Sequence, residues 1–289
     1  MRYLEPRSLP EALEALSEHG EEAKVLAGGQ SLLLMLHSRL IHPAVMLALQ
    51  RLTELSGIAY QSTEGLRLGA MTTQRMIETS PLVRQHCPML AHASSLIASV
   101  HVRSLGTLGG NLCHNLPGAD SPPALIALDA TVSLASRRGA RQLAVAELFR
   151  GFMDTVIEPD ELLTEIVIPA SSLGRRAVYL KHCVRDVDPA LVGVAVSLTP
   201  ADDHIRCADV RIGIGGVSAT PYRALSAEKI LRGQRLDGSS IAAAAAAASD
   251  DCDPITDAHG SARYRQKMLA VFMRRALTAA WKQDNQNDL

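Results

Sequence analysis

LAGGQSL, from Leu26 to Leu32, and TLGGNL, from Thr107 to Leu112, each set two adjacent glycines among polar neighbours. Glycine lacks a Cβ, so its backbone can approach a ligand closely and can take positive φ. Lys24 to Leu26 reads as a short strand, and SLLLMLHSRL from Ser31 reads as a helix start. The first glycine pair therefore sits at a strand-to-helix junction, where backbone amides point into one concavity and attract an anion. Gln30 and Ser31 add side-chain donors. A lone Gly-Gly at such a junction is most often only a tight turn. Two of them, with Gly28 and Gly109 81 residues apart (109 minus 28), fit one diphosphate gripped from both sides better than either fits alone. The nearest cations are Lys24 and Arg39 for the first motif, and His101 and Arg103 for the second. No lysine stands in either loop, so the donors are mostly neutral amides. Neither motif is GxGxxG or a Walker loop, which argues against a classical dinucleotide fold.

Working outward, the chain of 289 residues is 47% apolar, enough for a real core and for two domains. A net charge of −1 gives no electrostatic footprint for nucleic acid or an anionic membrane. Aromatics at 3% are too few for a base-stacking platform. The cysteines, Cys87, Cys113, Cys183, Cys207 and Cys252, are odd in number and scattered. They suit free thiols in a reducing compartment better than disulfides or a metal cluster. The N-terminus carries acids early and lacks the apolar run of a signal peptide. No run reaches membrane-spanning length, and the longest, IAAAAAAAS from Ile241, reads as a packed helix. Together these features point to a cytoplasmic protein without a metal site.

Ser8 and Glu11 form a capping box for a helix whose apolar face is Leu9, Ala12, Leu13 and Leu16, closed by Gly20. VMLAL after Pro43 is a second strand, completing a βαβ unit. Hairpins follow at Glu64-Gly65 and Arg138-Gly139, with helices predicted over 73–78 and 81–99 between them. LLTEIVIP is a strand stopped by Pro169. SSLGRR, at 171–176, is a polar joint and the expected domain boundary. Beyond it, three extended segments and then helices near 226–231, 239–248 and 261–281 predict an α+β C-terminal domain. The glycines of Gly213-Ile-Gly215-Gly216 end an alternating strand and suit close strand packing.

The ordered series resembles the FAD-binding medium subunits of the molybdenum hydroxylases, which include the carbon monoxide dehydrogenase, xanthine dehydrogenase and aldehyde oxidoreductase groups. It runs through LAGGQSL (26–32), VRSLGTLGGNL (102–112), PGADSPP with Asp120, LLTEIVIP (162–169), YLKHCVRDVDPA (179–190), GGVSATPYRA (215–224) and DAHGSARYRQKMLAVFMRRAL (257–277). The series covers nearly the whole chain. The resemblance implies an α+β protein: a PCMH-type FAD-binding domain over 1–172, with subdomains about 1–56 and 57–172, then a smaller α+β domain over 173–289. It implies that Leu26, Ala27, Gly28, Gly29, Gln30, Ser31 and Leu32 hold FAD from one side, with amides of Ala27 to Ser31 on the diphosphate. Thr107, Leu108, Gly109, Gly110 and Asn111 would hold it from the other. Asp120 looks like the acid that bonds hydroxyls of the sugar or ribityl chain, its loop stiffened by Pro117 and Pro122. Leu163 and Lys181 match positions that line the flavin end, where Lys181 would stabilise the reduced, anionic form.

Each residue also has a plainer reading. Asp120 suits a turn or a helix N-cap before PPALIAL, and a strand lysine is by default solvated. The segment after Lys181 departs from many relatives: it carries one arginine, Arg185, with Asp186 and Asp188, and Pro189 where an acid or aromatic often stands. The cysteine-rich loop of the 4-hydroxybenzoyl-CoA reductase branch is missing from the sequence. The implied role is electron transfer: from iron–sulfur clusters of a small subunit, fed by a large molybdenum-cofactor subunit, through FAD to NAD, oxygen or a quinone. No catalytic triad or carboxylate pair stands out, which suits that role. A self-contained FAD dehydrogenase or oxidase is the alternative, and it would need a placed base near the flavin.

Overall fold

The structure is a computed structural model that describes residues 1–283. The expected C-terminal domain runs to 289, so its last six positions lie outside the described residues. The first 48 residues build a small parallel sheet from β1 (Arg2–Leu4), α1 (Leu9–His19), β2 (Ala23–Leu26), α2 (Leu32–His37) and β3 (Val45–Ala48), in the order β1-β3-β2. Ser8 caps α1 by accepting from the Glu11 amide, and Glu11 reaches back to the Arg7 amide at 2.7 Å. Ala12, Leu13 and Leu16 are buried against Val45 and Leu47. Gly20 closes the helix with φ of 48°, a conformation that favours glycine. β2 and β3 run parallel in register Ala23↔Val45 to Leu26↔Ala48, so the βαβ reading holds.

The middle of the chain folds as β4 (Ile58–Gln61), β5 (Gly65–Gly69), α3 (Gln74–Thr79), α4 (Pro81–His86), α5 (Pro88–Ser95), α6 (Val100–Leu105), α7 (Leu108–His114) and α8 (Ser121–Ala127). It continues with β6 (Thr131–Ser136), β7 (Gly139–Ala144), the small ribbon β8 (Phe149–Gly151) with β9 (Asp154–Thr155), and β10 (Leu162–Pro169). The antiparallel order is β4-β5-β10-β6-β7, with both predicted hairpins in place. The single helix predicted over 81–99 is two, α4 and α5, broken at Cys87 with φ of −145°. Pro88 causes the break: it offers no N–H to the preceding turn and pushes the residue before it out of the helical region.

The C-terminal part is a second antiparallel sheet of β11 (Arg176–His182), β12 (Val192–Pro200), β13 (Cys207–Gly215) and β14 (Tyr222–Arg223), covered by α9 (Leu225–Leu231), α10 (Gly238–Asp250) and α11 (Ala262–Lys282). The alanine run lies on α10, where Ala244, Ala245 and Ala248 are buried against the sheet and α11. Among the described residues no helix is long and apolar enough to cross a membrane.

α8 joins the two halves. It is buried along its whole length, with the middle core on one side and the β12–β13 surface on the other. The glycines of β13 make this possible. A Cβ on Gly213 would run into the Pro123 carbonyl, and one on Gly215 would press on the Pro123 ring at 3.1 Å. The cluster therefore serves close packing, as the alternating strand suggested. Arg211 and Arg223, both from the C-terminal sheet, pair with Asp129 just beyond α8 at 2.8 and 3.0 Å and fasten the same joint.

Candidate functional site

One cavity of about 900 Å³ runs between the parallel sheet and the helices α6, α7 and α8. Its wall includes Ala27, Gly28, Gly29, Gln30, Ser31 and Leu32 from the first bend. Thr107, Gly110 and Asn111 come from the second, and Asp120, Leu163 and Lys181 line the same cavity. Leu26, Leu108 and Gly109 stand behind this wall. Leu26 and Leu108 are buried, and a Cβ on Gly109 would press on Ala70 at 2.7 Å. The side chains of Leu26 and Leu108 and the bare face of Gly109 pack into the protein.

The two bends touch. A Cβ on Gly28 would collide with the Leu105 carbonyl and stand 2.9 Å from the Cα of Gly106. Gly110, in turn, leaves only 3.6 Å between its Cβ position and the Ala27 side chain. In the first bend, the amides of Ala27 to Ser31 donate to no protein group among the described residues. Their carbonyls are turned the other way: Gln50 donates to Ala27 O at 2.8 Å and Gln30 to Gly28 O at 3.1 Å. Gly29 has φ of 72°, which lets successive amides face one side.

The second bend differs from the expectation. It is the first turn of α7, capped by Thr107, whose hydroxyl accepts from the Gly110 amide at 3.1 Å. The Leu108 and Gly109 amides donate to Thr72 O and Ala70 O, both at 2.9 Å, and the Asn111 amide to Thr107 O. Four of its amides are therefore committed inside the protein. What it presents to the cavity is a bare Cα at Gly110 and the Asn111 side chain, whose Oδ1 is buried without a partner.

Of the cations near the motifs, Arg103 is spent on structure: it pairs with Glu78 at 2.9 Å and donates to the carbonyls of Ile97 and Ala98. Lys24 and Lys181 both line the cavity, and Lys181 is buried rather than solvated. Its Nζ donates to Asp120 Oδ2 at 2.9 Å and to Leu96 O at 2.8 Å. Asp120 stands at the N-cap position of α8 but makes no capping bond. Its Oδ1 instead accepts from the Tyr179 hydroxyl at 2.7 Å. Burial pushes the Asp120 carboxyl up to about 6, against the pull of Lys181 and Tyr179 toward the ionised form. The Tyr179 hydroxyl is raised well above its ordinary value, by burial first and by the Asp120 charge second.

Two residues were not singled out by sequence. Gln74, at the start of α3, lines the cavity, is 2% exposed and leaves Nε2 unpartnered. Tyr179 had one usable signal: it lies two positions before Lys181, hence on the same face of a strand.

The residues present fit a dinucleotide such as FAD. The free amides of the first bend suit the oxygens of a diphosphate, and the missing Cβ at Gly28 lets the two bends lie against one another so that both line the one cavity. The unpartnered Gln74 Nε2 and Asn111 Oδ1 are polar groups that burial alone leaves unsatisfied. The volume lies within the roughly 300–1,000 Å³ of ordinary ligand sites.

Comparison with known proteins agrees. Residues 1–171 match the family model described as FAD binding domain in molybdopterin dehydrogenase, and residues 177–280 match CO dehydrogenase flavoprotein C-terminal domain. The chain is 35% identical to the carbon monoxide dehydrogenase medium chain of Hydrogenophaga pseudoflava, over 96% of each chain. It is 34% identical to the alpha subunit of the 6-hydroxypseudooxynicotine dehydrogenase complex of Paenarthrobacter nicotinovorans, over 96% of this chain and 93% of that one. Among solved structures, reconstituted CO dehydrogenase from Oligotropha carboxidovorans superimposes with a TM-score of 0.94 at 36% identity, covering 98% of both chains.

Proposed function

The chain belongs to the family of FAD-binding medium subunits of the molybdenum hydroxylases, and we propose that it carries electrons from the iron–sulfur clusters of a small partner subunit to NAD, oxygen or a quinone. In this reading a large partner subunit oxidises the organic substrate at a molybdenum cofactor, and the assembly works in the cytoplasm. FAD, when bound, supplies the reversible redox chemistry. The chain's own residues bind and orient it. The amides of Ala27 to Ser31 hold the diphosphate, with Ser31 as a side-chain donor. Gly110 and Asn111 form the opposing wall. Leu163 covers an apolar surface, while Asp120 and Lys181 supply charge and hydrogen bonds at the flavin end. Lys181 keeps one N–H free for the cleft, because two of its three are taken by Asp120 and Leu96.

The observation that carries this reading is the meeting of both glycine bends in one cavity with Asp120 and Lys181. The test is affinity capture of the native protein from cell extract, followed by flavin absorbance and metal analysis. Molybdenum and iron are expected to arrive with bound FAD. A colourless chain that takes up no added FAD would overturn the cofactor assignment. Flavin bleached by an organic donor in the isolated chain would replace the electron-transfer role with a self-contained dehydrogenase.

A further inference from the structure

Tyr179 and Lys181 alternate with Leu180 on β11, and strand periodicity turns both toward Asp120. They divide its carboxylate between them, the tyrosine hydroxyl on Oδ1 at 2.7 Å and the lysine on Oδ2 at 2.9 Å. The tyrosine is 1% exposed and its hydroxyl makes no other recorded bond among the described residues. Behind it lies Gly193 on β12, which pairs with Lys181 across the antiparallel register. A Cβ on Gly193 would come within 2.6 Å of the tyrosine oxygen. A bare backbone at this one point thus lets the hydroxyl reach the carboxylate.

We propose that Tyr179 is a positioning residue of the cofactor site: by holding Asp120 Oδ1 it fixes the carboxylate so that Oδ2 keeps Lys181 aimed into the cleft. The inference rests on the FAD reading above and extends it to a residue of the C-terminal domain that need not touch the cofactor. The physical argument is that a buried carboxylate with one donor removed has less to offset its desolvation, so it takes up a proton more readily. Once neutral, it no longer holds the ammonium by charge. Besides Asp120, the titratable side chains that line the cavity are Lys181, Asp188, Cys113 and His114 on α7, Glu158 and Glu161 before β10, and Glu21 before and Lys24 on β2; Cys183 stands beside β11. Burial keeps His114 below the ordinary histidine range, so it supplies no compensating charge near neutrality. Asp188, at the mouth, is held low by Arg185 and stays ionised across the same window.

The test uses Tyr179→Phe and Gly193→Ala in the full chain, with two readouts. The first is carboxyl-carbon NMR titration of Asp120 in the FAD-free protein. The second is the pH profile of FAD affinity. In wild type, affinity should fall as pH drops through about 6, where Asp120 takes its proton. In Tyr179→Phe, both the carboxyl titration and the fall in affinity should move up by about one pH unit, with affinity unchanged well above it. Gly193→Ala keeps the hydroxyl but displaces it, and should move both in the same direction. Superimposable profiles would overturn the proposal, as would a pH-independent loss of affinity, which marks a merely structural role. Absence of FAD uptake by wild type at every pH would instead overturn the cofactor reading. The carboxyl titration would still decide whether Tyr179 governs Asp120.

Discussion

The two glycine bends look alike as sequence and differ as structure. At 27–31 the chain leaves a strand and keeps five consecutive amides without a partner among the described residues, with glutamine side chains tying back the carbonyls of Ala27 and Gly28. At 108–111 every amide is already bonded inside the protein. The first bend is built to donate and the second to be approached. A doubled glycine therefore carries two kinds of information: freedom of φ, used at Gly29, and the absence of a Cβ, used at Gly28, Gly109 and Gly110. The hydrogen-bond partners of the flanking amides decide which one a given pair uses.

The harshest way to break this arrangement is Gly28→Val. The new side chain would overlap the Leu105 carbonyl and crowd Gly106, both backbone atoms that cannot rotate away. The bends must separate, and donors aimed at a common point lose their convergence. FAD affinity is expected to fall by at least ~100-fold, on the order of 3 kcal/mol, measured by quenching of flavin fluorescence. Retention of affinity within a few-fold would mean that the bends do not act on one ligand.

Thr107→Ala probes the second bend as a cap. It removes the acceptor for the Gly110 amide, which costs about 1 kcal/mol, or roughly 2–4 °C of melting temperature for a domain of this size. The loss should be present without FAD, and Thr107→Ser should restore it. An unchanged melting temperature together with a lost cofactor would make this bend a donor site like the first, and the contrast would disappear.

The order of elements was legible because period, caps and hairpin turns repeat strongly: Ser8 and Gly20 bracket α1, and Glu64-Gly65 and Arg138-Gly139 mark their turns. The break before Pro88 was also visible in principle but lost inside a long apolar run. The helical start at Thr107 was harder. Gly110 stands three residues after the cap where a capping box would put Glu or Gln, so the usual signature is missing. In the site, resemblance to relatives pointed to Asp120 and Lys181, but not to their pairing or burial. Lysine is solvated by default, and nothing local tells Lys181 that a carboxylate 61 residues earlier waits beside it. Tyr179 to Asp120, 59 residues apart, is likewise a product of α8 being clasped between two sheets.

Ser31→Ala is the finest probe of the contrast. Ser31 precedes α2 but makes no side-chain capping bond, unlike Thr107. Removing its hydroxyl therefore leaves no buried amide unsatisfied, and the FAD-free protein should melt within about 1 °C of wild type. With FAD the hydroxyl is a donor beside the free amides, and its loss should weaken binding roughly threefold to tenfold, the weight of one hydrogen bond. The two serine/threonine-to-alanine changes thus predict opposite signatures: stability without affinity as the casualty at the second bend, affinity without stability at the first. Equal melting losses in both variants would show that Ser31 caps α2 after all. The side-chain contribution to the first bend's donors would then be nil, leaving the diphosphate to main-chain nitrogens alone.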